Sequence, residues 1–236
     1  MKFDADGIHR WVLERAEPSY QAFSAALLPG VEDLAGVRLP ILRRLAHSLA
    51  AEDAAYYVGE ISNKTFEERM LRGLVIGYAK VGGDTRWAWV DAFLPSIDNW
   101  SICDSFCITL AGAMDREEAE SVWPAIKAYA KSPQPFTARF AVVMTIDAYM
   151  QPERLDEVLS VLEAMRQSDY YVRMAVAWAL ATACAVSSYR TIRSLKDGKY
   201  DPWVLKKAVQ KIGESRRVPS EDKAAARNIL QKRSTR

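Results

Sequence analysis

TFEERMLRGLVIGYAKV, residues 65–81, decides the fold. Its apolar side chains Phe66, Met70, Leu71, Leu74, Ile76 and Tyr78 fall along one wide stripe. Such spacing matches a helix, whereas a strand would alternate apolar and polar residues with period two. Working outward, the same pattern recurs over residues 99–113, 135–150, 169–185 and 202–212. Shorter amphipathic stretches lie between, over 85–97, 116–130, 153–167 and 187–195. Asn99, Asp115, Ser168 or Asp169, and Asp201 followed by Pro202 stand where helices should begin. The predicted fold class is all-α.

The long stretches keep a register. RMLRGLVI from Arg69, DSFCITLA from Asp104, RFAVVMTI from Arg139, RMAVAWAL from Arg173 and KAVQKI from Lys207 follow at spacings of 35, 35, 34 and 34 residues. Two helices per period of this length are the mark of an α-solenoid of HEAT-like repeats, in which each unit buries its apolar face against its neighbours. Equivalent positions then line up as a row reading Arg, Asp, Arg, Arg, Lys, with Arg72, Lys206 and Lys211 close by. A row dominated by cations suits a phosphate backbone, although a solvated helix edge also carries charges. Asp104 is the one acid in it.

Composition narrows the class without naming it. The chain has 236 residues, 50% of them hydrophobic and 26% charged, a profile expected of a soluble globular protein. We read it as one repeat domain over 1–236, with an atypical N-terminal cap over 1–35, repeats over 36–215, and a C-terminal helix with a basic tail over 216–236. The net charge of +2 neither requires nor excludes nucleic acid. No window is long and apolar enough for a membrane helix, and MKFDADGIHRW at the start lacks a signal-peptide core. The expectation is a cytoplasmic protein. Cys103, Cys107 and Cys184 have no His nearby at metal-ligand spacing, so they read as small buried thiols. No metal and no cofactor are expected.

GVRLPILRRLA (36–46), NWSICDSF (99–106), PFTARFAVVM (135–144), DYYVRMAVAWAL (169–180) and WVLKKAVQKI (203–212) together resemble the AlkD-like DNA alkylation repair proteins. The resemblance covers most of the chain beyond residue 36 and rests on the order and register of the segments. It implies a DNA glycosylase that excises purines made cationic by alkylation, of the 3-methyladenine and 7-methylguanine type, without a metal. It also implies the site: Trp100, Asp104, Arg139 and Trp178. The implied partner is double-stranded DNA carrying alkylated bases, and the repeat architecture points to a monomer. The first 35 residues, with breaks at Pro18 and Pro29–Gly30, resemble a shorter branch in which an N-terminal DNA-gripping element is reduced or absent.

The implied roles are chemically coherent. A carboxylate beside the deoxyribose would stabilise the oxocarbenium-like charge that develops as the glycosidic bond breaks, and would orient water. Two Trp rings would contact the sugar and the cationic base. Arg139 would hold a backbone phosphate through paired donors. Taken without the resemblance, Asp104 reads equally as a helix cap or a partner of Arg139, and Trp100 and Trp178 as core aromatics. Trp11, Trp87, Trp89, Trp123 and Trp203 are assigned to packing. Arg43, Arg44, Arg69, Arg72, Arg173, Lys206, Lys207 and Lys211 are candidate phosphate contacts, each also readable as a solvated charge. Two other classes stay open: a non-catalytic DNA-binding protein of the same family, and a HEAT-type protein scaffold.

Overall fold

The structure, a computed structural model, describes residues 2–234, with side chains described to residue 231. Among these residues the chain forms thirteen α-helices and no strand. In order they are α1 (Ala5–Glu14), α2 (Pro18–Leu27), α3 (Leu39–Glu60), α4 (Phe66–Tyr78), α5 (Gly83–Phe93), α6 (Trp100–Ala111) and α7 (Arg116–Tyr129). They continue with α8 (Pro135–Ala148), α9 (Leu155–Ala164), α10 (Tyr170–Val186), α11 (Ser188–Asp197), α12 (Pro202–Glu214) and α13 (Ser220–Ser234). The all-α, repeat-built fold expected from the register is what the structure shows. Contacts divide the chain into two compact units, Met1–Glu120 and Ser121–Arg236. Lys232, Arg233 and Arg236 of the basic tail lie outside the residues whose side chains are described.

Capping fixes where the long helices begin. The side chain of Asn99 accepts from the Ile102 amide at 3.0 Å, and that of Asp169 from the Tyr171 and Val172 amides. Asp201 does the same for Trp203 and Val204, with Pro202 at the first helical position, where its missing N–H costs nothing. Thr65 and Glu68 form a reciprocal capping box at the start of α4.

In the first unit α3, α4 and α6 pack in sequence as an inner layer. Leu71, Leu74, Val75 and Ile76 of α4 are fully buried there. Each such side chain contributes roughly 1.5–3 kcal/mol of hydrophobic stabilisation. Gly77 lets α6 come close: a Cβ there would meet Thr109 Cγ2 at 2.7 Å and the Leu110 amide at 3.2 Å. Arg43 clamps the layer, donating from Nη1 to Tyr78 Oη at 2.8 Å and to Thr109 Oγ1 at 3.2 Å. In the second unit α8, α10 and α12 form the corresponding layer, with α9, α11 and α13 packed beside it.

Candidate nucleic-acid interface

In the first unit the candidate site begins on α6. The apolar stripe of that helix, Ile102, Cys103, Phe106 and Cys107, is buried. The opposite face must therefore point outward, and it carries Trp100, Asp104 and Ile108 at intervals of one turn. Trp100 and Asp104 are partly exposed and Ile108 is exposed. The Trp100 indole N–H donates to the carbonyl of Leu27, the last residue of α2, at 3.3 Å. Beneath it lies a cavity of about 160 Å³ lined by Tyr20, Phe23, Leu42, Phe66 and Met70 among others. Phe23 and Leu27 on α2 are exposed beside it. The N-terminal region is broken where Pro18 and Pro29–Gly30 predict, yet Pro18 opens a helix and that helix is seated on Trp100.

The cations expected beside this site have other occupations. Arg69 is buried, donating to both carboxylate oxygens of Asp33 at 2.5 and 2.9 Å and pairing with Asp98 at 3.1 Å. These contacts outweigh burial and raise its pKa. Arg69 is thus the buried centre of an ion-pair cluster, and we do not carry it forward as a phosphate ligand. Arg72 donates to the Ile61 carbonyl, and burial lowers its pKa while Glu68 opposes that shift. Arg43 is engaged in the clamp described above, while Arg44 is exposed.

Sequence reasoning missed Glu67 and Glu68, which with Arg69 make the first turn of α4 a polar hub. Glu67, 1% exposed, accepts from the backbone N–H groups of Ala35, Gly36 and Val37 at 2.9, 2.7 and 3.1 Å. This ties the segment between α2 and α3 to α4. Gly36 is required there: its φ is +99°, and a Cβ would meet the Glu17 carbonyl oxygen at 2.7 Å. Glu68 contacts His9 Nδ1 at 2.7 Å and accepts from Ser62 at 2.6 Å. The Thr65–Glu68 pair was legible as a capping box, but the acceptor role of Glu67 had no local signal.

In the second unit Arg139 lies on α8 and is buried, its Nη1 donating to the Tyr171 carbonyl at 2.6 Å. Arg139 thereby braces the first turn of α10. One helix surface further on, Trp178 of α10 is 36% exposed, unusual for an indole among helices this apolar. Arg173 and Lys207 converge on Trp203, at 4.8 and 5.8 Å from its ring centroid. Tyr170 meets the same ring edge-on at 5.8 Å. Lys207 also donates to Gln210, Lys206 is exposed, and Lys211 is partly exposed. Trp203 is therefore partly exposed and carries cations, where packing alone was expected. Trp87 and Trp123 do pack, with their indole N–H groups on Glu118 and Glu157.

The three cysteines are buried thiols, and burial pushes the Cys184 thiol up. Among the described residues no three His, Cys, Asp or Glu side chains gather as metal ligands, and no helix is long and apolar enough to cross a membrane. No curated protein matches the chain. The model of the DNA alkylation repair enzyme family matches residues 12–212, which run through both units. With most of its length matched, the chain belongs to the DNA alkylation repair enzyme family.

Proposed function

We propose that this member of the family is a DNA glycosylase that hydrolyses the N-glycosidic bond of cationic alkylated purines in duplex DNA. The observation that carries the reading is the Trp100–Asp104 pair, one turn apart on the outward face of α6 in a chain of DNA alkylation repair type. In this reading the alkylated purine leaves already charged, so no strong general acid is needed. As the bond between the base nitrogen and C1′ breaks, Asp104 stabilises the positive charge on the sugar and orients a water toward C1′. Water adds to C1′ and its surplus proton passes to Asp104 or to solvent, leaving an abasic site and the free neutral base. Trp100 supplies an apolar and cation–π wall for the sugar and base, and Trp178 is assigned a second wall. Arg139 is assigned the backbone phosphate beside the lesion, with its bond to Tyr171 holding the guanidinium in place.

Of the row of cations, Arg44, Arg173, Lys206, Lys207 and Lys211 are the proposed phosphate contacts; Arg43 and Arg72 enter only through the helices they hold. The test is release of free base from duplex DNA carrying 7-methylguanine or 3-methyladenine. We expect free alkylated purine and a matching count of abasic sites, with unmodified guanine untouched. Salt-sensitive DNA binding without base release from either substrate would replace this reading with a non-catalytic DNA binder.

A further inference from the structure

At the N-terminal ends of α10 and α12 the second unit holds an arginine whose side chain has no hydrogen-bond acceptor among the described residues. The Arg173 guanidinium lies over the Trp203 ring, 4.8 Å from its centroid, and its Nε is buried without a partner. Buried donors are seldom left so. Nε of Arg69 and of Arg86 is also unpartnered, but the other nitrogens of those side chains rest on carboxylates, Asp33 and Glu118. No carboxylate or carbonyl serves Arg173 in the same way among the described residues. A planar donor fork held by an aromatic ring and lacking an acceptor is arranged for an anion from outside.

Arg173 opens onto a cleft of about 260 Å³, lined also by Arg166, Gln167, Lys199, Tyr200 and Asp201. The acids at this cleft are occupied. Glu163 accepts from the Lys199 amide at 3.0 Å, and Asp201 caps α12. Arg166 donates to the carbonyls of Glu163 and Met165, which leaves its charge uncompensated by a carboxylate. With Arg166, Arg173 and Lys199 against Glu163 and Asp201, the lining keeps a net positive charge, and the cleft is large enough for a phosphate. Beside it Tyr170 is 51% exposed, making T-shaped contacts with both Trp203 and Tyr171 and leaving about half of its surface open to solvent. An aromatic face next to a cationic seat is the combination that binds the base and phosphate of a single strand.

We infer that this end of the second unit binds one unpaired nucleotide of a DNA strand, its phosphate on Arg173 and Lys199 and its base stacked on Tyr170. The inference rests on the DNA-binding part of the function proposed above and is independent of Asp104 and the glycosylase chemistry. It assigns Tyr170 and Trp203 a role in binding, Trp203 as the positioning residue that holds the Arg173 guanidinium over its ring.

The test is the affinity of the full chain for a fluorescein-labelled oligothymidylate across a range of salt, for wild type, Tyr170→Ala, Arg173→Gln and Trp203→Phe. Tyr170→Ala should weaken binding roughly tenfold. Arg173→Gln should make the slope of log affinity against log salt shallower by about 0.7, the share of one single-strand phosphate. Trp203→Phe keeps a ring beneath Arg173 and should retain most of the affinity. Thermal unfolding of each variant separates loss of a contact from loss of fold. Unchanged affinity and salt slope in both Tyr170→Ala and Arg173→Gln would overturn the inference, as would displacement of the strand by equimolar free thymidine monophosphate. Base release from alkylated duplex, measured on the same proteins, tells the two readings apart. Normal release with unchanged strand binding sinks this site alone, while lost strand binding in a protein that releases no base leaves it standing.

Discussion

Arg69 and Arg173 occupy the same register position, three repeats apart, and the two units use them in opposite ways. In the first unit the guanidinium is buried between Asp33 and Asp98 and holds the start of α4. In the second it lies over an aromatic ring with no acceptor among the described residues. Other cations repeat the contrast, with Arg139 of the second unit as the exception, since it is buried and donates to the Tyr171 carbonyl. Arg43 and Arg72 of the first unit donate to protein oxygens, whereas Lys206 and Lys211 of the second point to solvent at least in part. A repeat register determines which face a residue shares with its equivalents; the partner is set by what the preceding segment brings there. In the first unit the segment before α3 brings Asp33 to Arg69, whereas among the described residues no carboxylate is brought to Arg173.

Variants can sharpen or break this contrast, starting with the acceptor side of the first unit. Glu67→Ala removes the acceptor of three backbone N–H groups at residues 35–37. An unsatisfied buried donor costs about 1–3 kcal/mol, so a loss of about 4 kcal/mol is expected after water relieves part of it. Chemical unfolding checks this, and a loss below 1 kcal/mol would remove the hub from the account. Arg69→Met should cost about 2–3 kcal/mol. That is less than for a fully buried pair, because Asp33 and Asp98 retain solvent contact.

In the second unit the largest stability effect is tied to pH. Tyr200 is buried, with its hydroxyl against Ser194 at 2.6 Å, and burial pushes its pKa up to about 12. An unfolded tyrosine titrates near 10, so between pH 10 and 12 the unfolded chain loses a proton that the folded chain keeps. The contribution, on the order of 2 kcal/mol, is fully present below pH 10 and lost as the pH rises toward 12. Tyr200→Phe should flatten that alkaline decline; an equally steep decline in the variant would contradict the assignment. The smallest effect belongs to Arg173→Gln, which should alter stability by less than about 0.5 kcal/mol. A loss as large as that of Arg69→Met would erase the contrast between the units.

Much of this was legible in the sequence. The apolar stripes placed α4, α6, α8, α10 and α12, though not the longer α3, and Asn99, Asp169 and Asp201 marked three of their starts within a residue. The shared face of Trp100 and Asp104 followed from their spacing, but that this face points outward did not, since Trp100 also read as a core aromatic. What was not legible depends on pairing across distance. Asp33 lies 36 residues from Arg69, in a segment without periodicity, so nothing near Arg69 announced its ion pair. Glu67 looked like an ordinary first-turn acid because its acceptor role depends on the path of the chain at Gly36. Trp203 looked like packing because an indole at an apolar helix start usually packs; only the missing acceptor at Arg173 says otherwise.

The role of Asp104 is decided by single-turnover release of 7-methylguanine from duplex DNA by wild type and Asp104→Asn, with affinity for the same DNA measured alongside. Loss of a preorganised charge at the developing cation predicts release slowed about a hundredfold or more with affinity nearly unchanged. Release by Asp104→Asn at the wild-type rate would contradict it.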